Sequence, residues 1–164
     1  MTRLIDMGMD PFSFADSLLA VLAQRLVRRI CPECRVAQNA SEAVMDELLN
    51  DYLHAFPEAL RPAREQVRQE WLTEFGHGGH VTHYTAPGCN HCQFTGVNGR
   101  VGMHELLLVT PSLRRLIQTG ARPEQLQFEA MQHGFLRTLR QDGIQKVLSG
   151  LTSIEEVRAN SNIL

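Results

Sequence analysis

Cys31-Pro32-Glu33-Cys34 and Cys89-Asn90-His91-Cys92 are two C-x2-C steps separated by residues 35–88, and their reading decides how the middle of this chain folds. Zinc prefers four soft or borderline ligands in a tetrahedron, and a C-x2-C step lets two thiolates of one tight turn reach one ion. Two such steps, Cys31 with Cys34 and Cys89 with Cys92, complete the shell. The flanking residues suit such turns: Pro32 follows the first cysteine, Pro87-Gly88 precedes the third, and Gly96 and Gly99 loosen the chain after the fourth. With sulfur at every position none stays open for water, so the expected zinc is structural rather than hydrolytic. In small zinc-binding peptides the ion is worth about 10 to 16 kcal/mol, as much as the net stability of a domain, so it would decide whether the region folds. Two disulfides or four free thiols are the alternatives; a reducing compartment favours metal. His91 reads as an exposed turn residue, because four cysteines already satisfy the ion.

N-terminal to the first step, Asp10-Pro11 reads as an N-cap with proline at the first helical position. Phe14, Leu18, Leu22, Leu26 and Ile30 then recur at helical spacing and predict one long helix. Its last turns carry Arg25, Arg28 and Arg29, which suit the negative end of a helix dipole. The start, Met1-Thr2-Arg3-Leu4-Ile5-Asp6, runs straight into helical pattern, as though cut from something longer.

Between the cysteine pairs an acidic helix is expected from Ser41, with Val44, Leu48 and Tyr52 on one face and a break at Phe56-Pro57. A second follows Pro62, carries the stripe Val67, Trp71 and Phe75, and ends at Gly76, making a helical hairpin with Trp71 in its core. His77-Gly78-Gly79-His80 brings two imidazoles close, but its glycines read as a flexible loop without fixed ligand geometry. Val81 to Tyr84 and Gly99 to Val109 read as extended segments. The last third reads as helices: one from Thr110-Pro111 to Gly120, one from Pro123 to near Gly134, one carrying Leu136, Leu139, Ile144, Val147 and Leu148, and one opened by Thr152-Ser153-Ile154-Glu155. The expected fold is mainly α with a small β element, a helical domain with a tetracysteine zinc knuckle module. Its expected divisions are a long helix over 1–30, the zinc module with its helical insert over 31–109, and a helical bundle over 110–164.

The chain has 164 residues, 43% of them apolar, and a formal charge of -2, which argues against a general nucleic-acid or anionic-membrane binder. No stretch approaches the roughly 18 apolar residues of a membrane span, and no secretory leader is visible. The sequence has no G-x4-G-K-[ST], G-x-G-x-x-G, H-E-x-x-H or G-x-S-x-G motif, so no catalytic residue is assigned within it.

Several segments in order are familiar. Thr2 to Gly8, Ala23 to Arg29 leading into Cys31-Pro32-x-Cys34, Gly88-Cys89-x-x-Cys92, Gly96-x-x-Gly99-Arg100-x-Gly102-x-His104-Glu105-Leu106-Leu107, Arg137 to Gly143, and Ser153 to Val157 resemble the type II secretion and type IV pilus assembly ATPases. The resemblance implies the C-terminal part of a hexameric P-loop ATPase, with ATP and Mg2+ bound only in a core upstream of residue 1, from which the 1–30 helix would continue. It carries zinc ligation over to Cys31, Cys34, Cys89 and Cys92. It implies contacts with that core, neighbouring subunits and inner-membrane platform proteins, at the cytoplasmic face of the membrane without insertion. Residues 35–88 are its least family-like region. The competing reading is a free-standing zinc ribbon binding nucleic acid through Arg25, Arg28, Arg29, Arg137 and Arg140.

Overall fold

A computed structural model describes residues 6–161; the segment Met1-Thr2-Arg3-Leu4-Ile5, expected to begin in helical pattern, lies outside them. The described residues divide into two compact units, 6–23 with 105–137, and 24–104 with 138–161.

In the first unit, Asp10 caps helix α1 (Pro11–Ser17) by accepting the Ser13 N–H at 2.9 Å, as Asp10-Pro11 predicts. The helix ends there. Strand β1 (Ala20–Ile30) follows, and the single long helix expected from Asp10 to Ile30 does not form. A spacing of four places residues on one face of a helix and equally on one face of a strand, so Leu18, Leu22, Leu26 and Ile30 could not distinguish the two. Partner strand β5 (Val97–Leu108) decides the matter: the Val109 N–H donates to the Leu19 carbonyl and the Cys31 N–H to the Gly96 carbonyl, both at 2.9 Å, so β1 and β5 run antiparallel. Helices α4 (Pro111–Gln118) and α5 (Pro123–Gln132) start at their prolines as expected. Leu136, expected in the following helix, sits instead in a two-residue strand β6 (Leu136–Arg137) paired with Leu107. The buried centre of this unit is small: Phe14, Ala15 and Ile117, with Leu18, Val109 and Leu126 against them.

The second unit holds the larger core. Helix α2 (Glu42–His54) is capped by Ser41, and α3 (Arg64–Phe75) stops at Gly76, forming the expected helical hairpin. Trp71, 2% exposed, takes the edge of Tyr52 at 5.3 Å between ring centroids. Arg64 and Arg68 bridge the hairpin to Asp46 and Glu42 at 2.6 Å each. Strand β4 (His80–Thr85) pairs antiparallel with β2 (Val36–Asn39) on one side and β3 (Gly76–His77) on the other. Helices α6 (Leu139–Leu148) and α7 (Ile154–Asn160), capped by Thr138 and Ser153, add Ile144, Val147, Leu148 and Val157 to a core shared with Val27, Leu49, Val67, Trp71 and Met103.

The two sheets, ordered β1-β5-β6 and β2-β4-β3, overturn the expectation of a mainly α protein with a small β element. The fold is mixed α/β, with 47% helix and 24% strand. The physical source of the error is chiefly β1, where Val21, Val27 and Ile30 also favour a strand.

Candidate metal centre

The first C-x2-C step sits where a strand gives way to a turn, and the second lies in the loop between β4 and β5. Cys31 follows β1 directly and is buried; the Ile30 N–H donates to the Leu151 carbonyl at 2.9 Å, and the Thr152 hydroxyl donates to the Arg28 carbonyl at 2.8 Å. The end of the strand is thereby tied to the turn before α7. The second step is a short 3-10 turn, Asn90–Cys92. It is closed by the Phe94 N–H donating to the Cys89 carbonyl at 2.8 Å and by the Thr95 hydroxyl donating to the Cys92 carbonyl at 2.6 Å. Gly88 and Gly96 are required here. Both have positive φ, +103° and +74°, and a Cβ would fall 2.7 Å from the Phe94 carbonyl oxygen at one and 2.6 Å from that of Ala86 at the other. Gln93 and Phe94 are also held in the left-handed region, at φ 52° and 60°.

This scaffold brings together all four cysteines named from the sequence. Their Sγ atoms lie within 4.8 Å of one another, with Cys31 and Cys92 buried and Cys34 and Cys89 half-buried. Cys31–Cys89 and Cys34–Cys92 are 3.9 Å apart and Cys89–Cys92 is 3.8 Å. A zinc tetrahedron with Zn–S near 2.3 Å has edges of about 3.8 Å, whereas a disulfide needs about 2.05 Å. The spacing thus matches sulfurs arranged around a common ion, and the four cysteines are free of disulfides. His91 is exposed in the turn.

The local fields differ between the sulfurs. Burial pushes the Cys92 thiol up, but N–H groups of Cys89 and Gly96, at 3.2 and 3.3 Å, outweigh it and bring it down to about 6. Burial, with the neighbouring sulfurs, drives Cys34 up to about 12. Several thiolates this close cannot coexist without a cation to neutralise them.

Gly88 and Gly96 are legible in the sequence, but Arg35, which also supports the centre, carried no sequence signal. Arg35 stacks its guanidinium 4.7 Å from the Tyr84 ring centroid and donates to the Gly150 carbonyl at 2.9 Å, linking the first step to β4 and to the end of α6. The arginines of the nucleic-acid reading are placed differently from expectation. Arg25, Arg28 and Arg29 lie on β1 rather than at a helix end, and Arg28 donates to Glu156 at 2.7 Å. Arg137 is on β6; Arg140 is buried against Asp51 and Ser161 and presents nothing to a phosphate.

Comparison with known proteins bears on the same motifs. The family described as type II/IV secretion system protein matches residues 1–159. The chain belongs to that family. Relatives of this secretion family include the type IV pilus assembly ATPase TfpB of Acinetobacter baylyi, 37% identical over 96% of this chain and 23% of its own length. The type II secretion system protein E of Aeromonas hydrophila is 38% identical over 95% of this chain and 26% of its own. The type IV pilus assembly ATPase PilB of Thermus thermophilus is 35% identical over 98% and 15%. This secretion-family chain thus spans about a quarter or less of the curated relatives it matches. Among its described residues, no helix is long and apolar enough to cross a membrane.

Proposed function

We propose that this chain is the non-catalytic, zinc-binding C-terminal domain of a hexameric P-loop ATPase that powers type II protein secretion or type IV pilus assembly. The observation that carries the reading is the convergence of four cysteine sulfurs within 4.8 Å of one another in a chain of the secretion family. Cys31, Cys34, Cys89 and Cys92 hold the ion. Bound zinc supplies a cross-link and charge neutralisation, with no open coordination position for hydrolysis. The protein side does the rest: the Cys89 and Gly96 amides orient Cys92, and Gly88 and Gly96 allow the turn to close. Arg35 connects the centre to α6, and Thr152 connects β1 to α7. The centre thus braces β1 and the C-terminal helices into one lever, on which core movement can act.

On this reading ATP and Mg2+ are bound by a core outside residues 1–164, in keeping with the greater length of the relatives and the absence of a phosphate loop here. Partners are that core, adjacent subunits and platform proteins of the inner membrane, with the assembly on the cytoplasmic face. The test is replacement of Cys89 by Ser in the full-length parent. Secretion or piliation should be lost while nucleotide binding by the core persists; full function in the variant would overturn the proposal.

A further inference from the structure

We propose that His77 and His80 form a second metal site, a surface pair of imidazoles for a divalent transition cation of the zinc, nickel or copper type. Read as sequence, His77-Gly78-Gly79-His80 is a flexible loop. In the fold it is a two-residue hairpin turn between β3 and β4. Gly78 and Gly79 take φ of +59° and +81°, the pair of positive angles that a type I′ turn requires. The turn makes His77 and His80 direct cross-strand partners. Opposed residues of an antiparallel pair project from one face with Cβ atoms about 4.5–5.5 Å apart. Two nitrogens bound to one ion at about 2.0–2.1 Å each sit roughly 3 Å apart, a distance that rotation of two such rings spans.

The register cannot drift. Val81, next to His80, is 3% exposed in the core, pairs with Gly76 across the strands, and its carbonyl accepts the Ala40 N–H at 2.8 Å. A slip of one residue would turn Val81 to solvent. Both histidines are exposed, so turning their rings toward an ion disturbs no packing. Negative charge stands nearby in Glu42, whose carboxyl is held below its usual range mainly by Arg68, with a smaller contribution from His80. Arg68 occupies both Glu42 oxygens, at 2.8 and 2.6 Å, so Glu42 acts as an electrostatic neighbour rather than a ligand. Two protein ligands leave the other coordination positions to water. Such a site exchanges its ion readily, prefers Cu2+ over Ni2+ and Zn2+, and differs in chemistry from the all-sulfur centre.

The experiment is a calorimetric titration of the full chain with Ni2+, zinc content being followed by elemental analysis. Wild type, His77→Gln, His80→Gln and the double variant are compared. Wild type should bind one Ni2+ beyond its zinc. Each single variant should bind at least about tenfold more weakly, and the double variant should not bind, with zinc content and melting temperature unchanged throughout. Absence of Ni2+ binding up to millimolar concentration in wild type, or binding that survives in the double variant, would overturn the site.

Discussion

Replacing Asp51 with Ala should be among the most damaging single changes outside the metal centre. Asp51, on α2, receives the Arg140 guanidinium at 2.9 Å and the Arg158 guanidinium at 2.7 and 3.2 Å. Side-chain exposure is 6% for Arg140 and 12% for Asp51, so truncation strands a buried cation. Breaking a buried pair from one side costs about 3–5 kcal/mol. Arg140 keeps the Ser161 hydroxyl at 2.8 Å and carbonyl at 2.6 Å, which places the cost at the lower end, about 3 kcal/mol. At about 2–4 °C per kcal/mol for a chain of this size, the melting temperature should fall by roughly 6–12 °C. Arg158→Ala is the comparison: its side chain is 39% exposed and Asp51 keeps Arg140 in its absence, so it should cost less than Asp51→Ala. Acidity gives a second readout. Burial raises the Asp51 carboxyl, but the hydrogen bonds and charges of Arg158 and Arg140 prevail and hold it below the ordinary value of 3.8. The unfolded chain therefore takes up this proton first as pH falls. The stabilisation is complete above the ordinary value and is lost as pH drops through the lowered one. Urea and thermal melts followed by circular dichroism, at neutral pH and in acid, measure both effects. An Asp51→Ala protein within 1 kcal/mol of wild type, or an Arg158→Ala protein equally damaged, would refute the reasoning.

Gly143→Ala should destabilise despite alanine's better helix propensity, because its Cβ would meet Met103 Sδ and Val157 Cγ1 at 2.6 Å each; overpacking of this kind costs about 1–3 kcal/mol, read from the urea midpoint. Gly96→Ala should lower zinc retention under a competing chelator, since it combines a φ of +74° with a clash at the Ala86 carbonyl; retention equal to wild type would remove Gly96 from the account of the centre. Trp71→Ala should cost about 3–5 kcal/mol in chemical denaturation, because the indole is 2% exposed within the hairpin core.

Where signals were local, the sequence was readable. Ser41, the Phe56-Pro57 break, the stripe Val67-Trp71-Phe75 and Gly76 delimit the α2–α3 hairpin by caps and periodicity alone. The cysteine steps were equally legible, since spacing and turn residues advertise a gathering of sulfurs whatever the surrounding fold. Residues 18–30 were misread because their apolar spacing fits both periods, and only the distant β5 makes them a strand. Gly78-Gly79 held a hairpin signal, but a two-residue β3 offers no alternation to support it. The braces were invisible for another reason: Asp51 with Arg140 and Arg35 with Gly150 join residues 89 and 115 positions apart, and no local pattern announces such a pairing.

The central claim is tested most directly by metal analysis of the full chain purified without chelator, reductant or added zinc, combined with a thiol count. The account predicts one zinc per chain and four thiols that react only after the ion is removed. Two disulfides with no metal, or a fold and melting temperature unchanged by exhaustive chelation, would contradict it.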